Sequence, residues 1–252
     1  NIKLLLKLSA MAFREVSMMK QYDELETMCR VWAVEQIKDL MSRRAIYSAN
    51  EERGRELDEL WVKEPENQKT ASFGRNYGYY VGMDAIRNYY VDSHMEKIEK
   101  YGGVGYMECH AVSSPYVELA GDGMSARGLW YSIGQETYPD AEGIPKALWV
   151  NDKIAADFLR EGDSWKIWHL ILSNDVWHPA AVPMGAMPDK LPEETDWIKA
   201  EFGTPTVAME VHNPLYLWSD NYPAIPKPYE AIEDSNSYGP KGHPNYRKED
   251  VK

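Results

Sequence analysis

The sequence predicts an α+β protein in which helices come first and a run of antiparallel strands follows. Three observations carry that reading. Apolar residues recur at helical spacing between Tyr22 and Tyr47. From Tyr106 the pattern changes to alternation over four long segments with turn-forming residues between them. Beyond Asn174 periodicity gives way to prolines and aromatics.

Taken in order, residues 1–20 read as a flexible leader. They open with NIKLLLKLSA, a run too short to span a bilayer and without a convincing small-residue cleavage site. The first helix runs from about Tyr22 to Tyr47. Ala33, Ile37, Leu40, Met41, Arg44 and Tyr47 share one of its faces. Ser48 to Gly54 breaks the pattern, with Gly54 as the stop. A short second helix carries Leu57, Leu60 and Trp61 and ends at Pro65. Ala71 to Val81, dotted with tyrosine and glycine, suits an irregular strand or a loop over a pocket. A third helix starts at Gly82 and closes at Gly102 and Gly103.

The strands fall at Tyr106 to Leu119, Ser125 to Thr137, Ala147 to Glu161 and Trp165 to Ser173. Ala120 to Gly123 and Glu161 to Asp163 supply turns. In the remainder a short helix is expected at Glu193 to Phe202. The rest holds too many aromatics for a free tail. It is expected to lie extended over the domain or over a neighbouring subunit. The chain thus divides into a leader (1–20), one domain (21–175) and a C-terminal extension (176–252) acting as lid or oligomer clasp.

The 252 residues are 44% apolar and carry a formal net charge of -12. So acidic a chain is a poor match for nucleic acid or an anionic membrane, and both are set aside as partners. Cys29 and Cys109 allow one bridge at most and have no metal-site spacing. Both are read as buried neutral thiols in a reducing cytoplasm. The six histidines form no metal-binding helix motif. With no phosphate-binding glycine loop and no dinucleotide fingerprint, neither metal nor cofactor is expected.

Several local patterns resemble the SnoaL-like branch of the nuclear transport factor 2-like superfamily, relatives of scytalone dehydratase and bile acid 7α-dehydratase. They are Ile37-Lys38-Asp39-Leu40 in the first helix, Leu57-Asp58-Glu59-Leu60-Trp61 in the second and Gly82-Met83-Asp84-Ala85-Ile86 at the start of the third. His110-Ala111-Val112-Ser113-Ser114-Pro115 follows on the first long strand. Phe158-Leu159-Arg160-Glu161 with Trp165-Lys166-Ile167 forms the last hairpin. The resemblance covers Tyr22 to Asp175. It implies a cone, a curved antiparallel sheet packed with three N-terminal helices, whose mouth holds a hydrophobic small molecule.

His110 stands where the resemblance places the catalytic histidine of the dehydratases. Alternation gives it the strand face of Glu108 and Val112. An imidazole exchanges protons near neutral pH, as dehydration and enolisation both require. Arg44, on an apolar helix face, needs a carboxylate or a substrate oxygen as partner. The relatives commonly carry a tyrosine near this position and an aspartate about five residues on. Here Ala49 stands where the aspartate would be. Tyr47 is the candidate for stabilising an enolate. His169, placed by alternation on the face of Trp165 and Ile167, is a candidate second acid–base group. Tyr79, Tyr80, Trp130, Tyr131 and Trp149 are candidates to line an aromatic pocket. Either Asn151 or Asp152, depending on register, is a candidate to orient a histidine.

The resemblance thus implies a cofactor-independent lyase of the dehydratase kind, acting on a hydrophobic ring-containing molecule with a carbonyl and a leaving hydroxyl. An isomerase or aldol-type cyclase in the same pocket, or a non-catalytic binding module, are the alternatives. A homo-oligomer is also expected, because the open sheet face of this fold is usually covered by another subunit. Trp168 is a candidate contact.

Overall fold

A computed structural model describes residues 22–140, 142–183, 203–208 and 222–248. The leader and the helix expected at Glu193 to Phe202 lie outside the described residues. Chain contacts divide the protein into two units, at Ala33/Val34. In the first, the Arg30 guanidinium lies 4.3 Å over the Tyr22 ring. The second, from Val34 onward, contains the whole sheet.

Helix α1 is Glu24–Ala49, and Ile37, Leu40, Met41, Arg44 and Tyr47 are all buried, as their spacing requires. Helix α2 is Arg53–Leu60, so Gly54 lies in its first turn and is not the stop. The break falls just before it, where Glu51 takes a left-handed φ of 60°. Pro65 opens a helix, α3 (Pro65–Thr70), because a first-turn position asks nothing of its missing N–H. A hairpin follows, β1 (Ser72–Arg75) and β2 (Gly78–Val81). Helix α4 (Met83–Arg87) passes through a π-helical turn at Asn88–Asp92 into α5 (Ser93–Lys100).

The long strands are β3 (Met107–Leu119), β4 (Ser125–Pro139), β5 (Pro145–Glu161) and β6 (Ser164–Pro179). A two-residue strand, β7 (Val207–Ala208), follows. They form one curved sheet in the order β3-β4-β5-β6-β1-β2-β7. All neighbours are antiparallel except β1 and β6, which run parallel. The chain between those two is long enough to allow the crossover that a parallel pair needs. Register shifts at Ser113/Tyr116, Asn151/Asp152 and Asp157/Phe158 mark the bulges that bend the sheet.

Cross-strand pairing sorts the side chains onto two faces. One face carries Phe73, Tyr80, Trp130, Ile154, Phe158, Ile167 and Leu170 and packs under the helices. Phe73 stacks on Trp61 and Tyr90 with centroids 6.2 and 5.0 Å apart. Tyr80 stacks on Tyr89 at 3.8 Å. Each such buried side chain contributes about 1.5–3 kcal/mol of transfer free energy.

The other face is covered in part by residues 222–248. Tyr79, Ala155, Ile171, Val207 and Tyr238 form a buried cluster there, flanked by Leu129, Tyr222 and Tyr246. Gly121 and Asp122 donate backbone hydrogen bonds to Tyr229 and Glu230 (2.8 and 2.9 Å). The Tyr238 N–H donates to the Asp157 Oδ2 atom at 2.6 Å. The two cysteines correct the sequence reading: both are free and exposed. Cys109 pairs with Gln135 in register, which turns it away from the helices on an edge strand.

Candidate active site

Polar side chains converge on the helix-covered face around His110. In register, His110 opposes Gly134, Glu136 lies two residues further along β4, and Ser132 pairs with both Val112 and Asp152. The alternation that buries Trp130 therefore also delivers Ser132, Gly134 and Glu136 to the same face. The His110 Nε2 atom lies 2.8 Å from Glu136 Oε1, and its Nδ1 atom 3.1 Å from Ser132 Oγ. Asp152 Oδ2 is 4.0 Å from Nδ1. Gly134 makes room for the ring, since a Cβ there would overlap the imidazole.

Burial alone would lower the His110 pKa. The hydrogen bond and charge of Glu136, aided by Asp152 and Glu108, outweigh it and raise the pKa above its ordinary value. The His110 side chain keeps 19% of its surface exposed, so the imidazole is held but reachable. Asp152 behaves differently. Burial pushes its carboxyl up to about 6, against the pull of Arg75 and His110. Asn174 Nδ2 donates to its Oδ1 at 2.5 Å. Arg75 Nη2 in turn donates to Asn174 Oδ1 at 3.2 Å. Asn76 fixes the Asn174 backbone on both sides, donating to its carbonyl at 3.1 Å and accepting from its N–H at 2.8 Å.

Beside this group lies a second polar layer. Glu108 accepts the Tyr138 hydroxyl at 2.8 Å and pairs with Arg53 at 2.6 Å. His94 meets Glu51 at 2.7 Å. Among the described residues there is no group of three or more His, Cys, Asp or Glu that would hold a metal ion.

Arg44, Tyr47 and His169 are not brought to His110. Arg44 is buried with Glu56, Nε to Oε1 3.4 Å, and Glu56 also accepts Tyr90 and Trp61. The Tyr47 hydroxyl donates to Glu59 at 2.6 Å. Each helix residue thus finds its carboxylate on α2 and does not face the sheet histidine. His169 is on the opposite face. Trp168 is the extra residue of a bulge between Ile167/Phe158 and His169/Asp157, so the alternation read through Trp165 and Ile167 inverts there. His169 Nδ1 meets Asp157 Oδ2 at 2.8 Å, and Tyr238 and Gly239 close over the pair. Trp168 donates to Thr70 Oγ1 at 2.9 Å.

The aromatic candidates divide between the faces. Tyr80 and Trp130 share the face of His110. Tyr79 is sealed under the C-terminal segment, and Tyr131 and Trp149 are exposed on the outward face with Asn151. Register also decides between Asn151 and Asp152: Asp152 faces His110. Arg75, Ser132, Glu136 and Asn174 were missed. For Glu136 and Ser132 the signal was there, in their even spacing from Trp130. For Gly134 it was a glycine in the middle of a strand pattern.

A sheet of this order, with a histidine–carboxylate cluster on its helix-covered face, defines an α+β class with a curved antiparallel sheet, and the family follows from the sequence. Residues 30–171 match the SnoaL-like domain, and the chain belongs to that family. No curated protein matches it. Similar solved structures include a hexachlorocyclohexane dehydrochlorinase from Novosphingobium barchaimii (15% identity, 66% of this chain and 99% of that one, TM-score 0.46). Another is a nuclear transport factor 2-like protein with a cystatin-like fold from Novosphingobium aromaticivorans (14%, 66% and 96%, TM-score 0.42). A third is a protein of unknown function from Mycobacterium tuberculosis (18%, 57% and 73%, TM-score 0.42).

Proposed function

We propose that the protein is a cofactor-independent lyase of the dehydratase type. Its substrate is a hydrophobic, ring-containing molecule with a carbonyl and a leaving hydroxyl. The observation that carries the reading is His110, reachable from solvent and held between Glu136 and Ser132 with Asp152 beside it. Glu136 accepts from Nε2–H and so fixes the tautomer that leaves Nδ1 basic. His110 takes the proton next to the carbonyl, forming an enolate. The imidazolium, steadied by the two carboxylates, returns a proton to the hydroxyl, which departs as water as the new double bond forms. Ser132 is in reach of Nδ1 to pass or orient that proton. Residues 222–248 of the C-terminal segment lie on the opposite face, which favours an accessible site over one plugged by those residues.

Replacing His110 with Ala tests this. Hydrophobic hydroxy-carbonyl compounds are screened by mass spectrometry for loss of one water. For any compound converted, H110A should lower kcat by about 10²–10⁴-fold. Turnover within a few-fold of the parent would remove His110 from the chemistry. An unchanged product mass would instead assign an isomerase or cyclase, which begins with the same proton removal.

We also infer a cytoplasmic homo-oligomer. Two free thiols fit a reducing compartment. Tyr131, Ile133 and Trp149 remain exposed on the outward sheet face beyond the tail, where a second copy of this chain would cover them. A monomer by sedimentation at micromolar concentration would count against it. No helix among the described residues is long and apolar enough to cross a membrane.

A further inference from the structure

Arg75 is the cation that the acid–base reading leaves unused. It ends β1, two residues after Phe73, and so lies on the helix-covered face with His110. Among the described residues its guanidinium makes one hydrogen bond, to the neutral Asn174 side chain. Its Nε atom is sealed from water and has no acceptor. No carboxylate lies within ion-pair distance of it there. Asp152 is hydrogen-bonded to it only through Asn174, while its charge and that of Glu136 act from beyond contact. The other arginines of this face, Arg44 and Arg53, both have carboxylate partners at 3.4 and 2.6 Å. A half-buried guanidinium without a counter-ion is costly, and such costs concentrate where a ligand supplies the missing partner.

The surroundings fit an aromatic or alicyclic acid. Phe73 packs against Tyr89 with centroids 5.5 Å apart, and Tyr80 stacks on the same ring. The Tyr77 and Tyr89 hydroxyls lie 3.4 Å apart. Burial raises the Tyr77 pKa, so its phenol stays protonated. The result is a fork of N–H donors with the Tyr77 and Tyr89 side chains near it, at the far end of a chain Arg75–Asn174–Asp152–His110.

We propose that Arg75 anchors a carboxylate of the substrate, so that the substrate class is a ring-containing organic acid and not a neutral hydroxy-ketone. The planar guanidinium matches a carboxylate in geometry and charge. Asn174 then couples the anchor by hydrogen bonds to Asp152, whose Oδ2 atom stands 4.0 Å from His110 Nδ1, so the end that binds the acid and the end that moves the proton meet at one carboxyl. The inference rests on the reading of His110 as the acid–base group, but its test does not need turnover.

The probes are 2-naphthoate and its neutral amide, 2-naphthamide, with binding followed by calorimetry. Wild type should bind the naphthoate about tenfold or more tightly than the amide, the scale of one charge-assisted pair. Arg75→Gln should erase that preference by weakening naphthoate alone. Arg75→Lys, which keeps the charge but loses the fork, should retain part of it and serves if the glutamine variant folds poorly. His110→Asn should leave the preference in place. Equal binding of acid and amide by wild type, or no binding of either at millimolar concentration, would overturn the proposal. So would a preference that survives in Arg75→Gln. An active His110→Ala with the preference intact would sink the acid–base reading and spare the anchor.

Discussion

Asp152→Asn should make the protein more stable at neutral pH and less active. The Asp152 carboxyl is 3% exposed, and burial pushes it from 3.8 to about 6. A carboxyl whose folded pKa lies above its unfolded value favours folding while protonated. That advantage is complete below pH 3.8 and is lost as pH rises through about 6. At about 1.4 kcal/mol per pH unit, keeping the carboxylate charged in the fold costs about 3 kcal/mol at pH 8. Asparagine has nearly the same shape, still accepts the Asn174 amide, and carries no charge. The variant should therefore gain about 2 kcal/mol on wild type between pH 4.5 and 8, most of the full effect. Urea unfolding of both proteins at the two pH values measures the difference. A gap that does not change with pH would refute the reasoning, because it would show that the carboxyl titrates normally. The same replacement takes a charge from beside His110, so turnover should fall while stability rises.

Gly134→Ala should displace the His110 ring, since the added Cβ falls within it. It should cost at least about tenfold in kcat, with a small change in thermal midpoint, and unchanged kcat would show that the ring has room. Arg53→Met should destabilise by about 3–5 kcal/mol in urea, because Glu108 is left buried without its cation. Adding Glu108→Gln to that variant should recover a large part of the loss, and failure to recover would mean that the pair is not what the fold depends on. His169→Asn should cost about 1–3 kcal/mol through its bond to Asp157 yet leave kcat within a few-fold, and a large loss of turnover would return His169 to the chemistry.

Long periodic segments were legible because their burial follows from spacing alone. The α1 face from Ile37 to Tyr47 needed nothing but the 3.6-residue period. The strands β3 to β6 were found by alternation and turn residues, with ends off by one or two residues except at β6, which runs on past Ser173 to Pro179. Alternation failed at Trp168, where one bulged residue inverts everything after it and sends His169 to the other face. No local pattern marks such a bulge. It depends on how β5 and β6 bend together. Arg44 and Tyr47 were correctly placed on the inward helix face, but their partners Glu56 and Glu59 lie on another helix, and partner choice across helices is a tertiary matter. Arg75 was missed because a four-residue strand inside a glycine- and tyrosine-rich stretch carries too little periodicity to declare its faces.

The two faces of β5 decide which of its aspartates the proposed chemistry can use. Asp152 and Asp157 are five residues apart, an odd spacing that sends them to opposite sides of the sheet, and each meets a histidine. His169 and Asp157 are within hydrogen-bond distance, and the pair is closed over by Tyr238 and Gly239. Arg127 adds a cation on the free Asp157 oxygen at 3.4 Å. Every strong acceptor there is occupied, so that pair holds the C-terminal segment to the sheet. His110 and Asp152 stop at 4.0 Å, the imidazole stays partly exposed, and the aspartate stays near its own midpoint at neutral pH. Unfinished contacts and a carboxyl poised to change charge suit the proton-transfer site we propose, and a structural clamp avoids both. In the mechanism we propose, the aspartate absent at Ala49 is replaced from the sheet: Glu136 and Asp152 stand beside His110 from β4 and β5, where the family pattern would draw one carboxylate from the first helix.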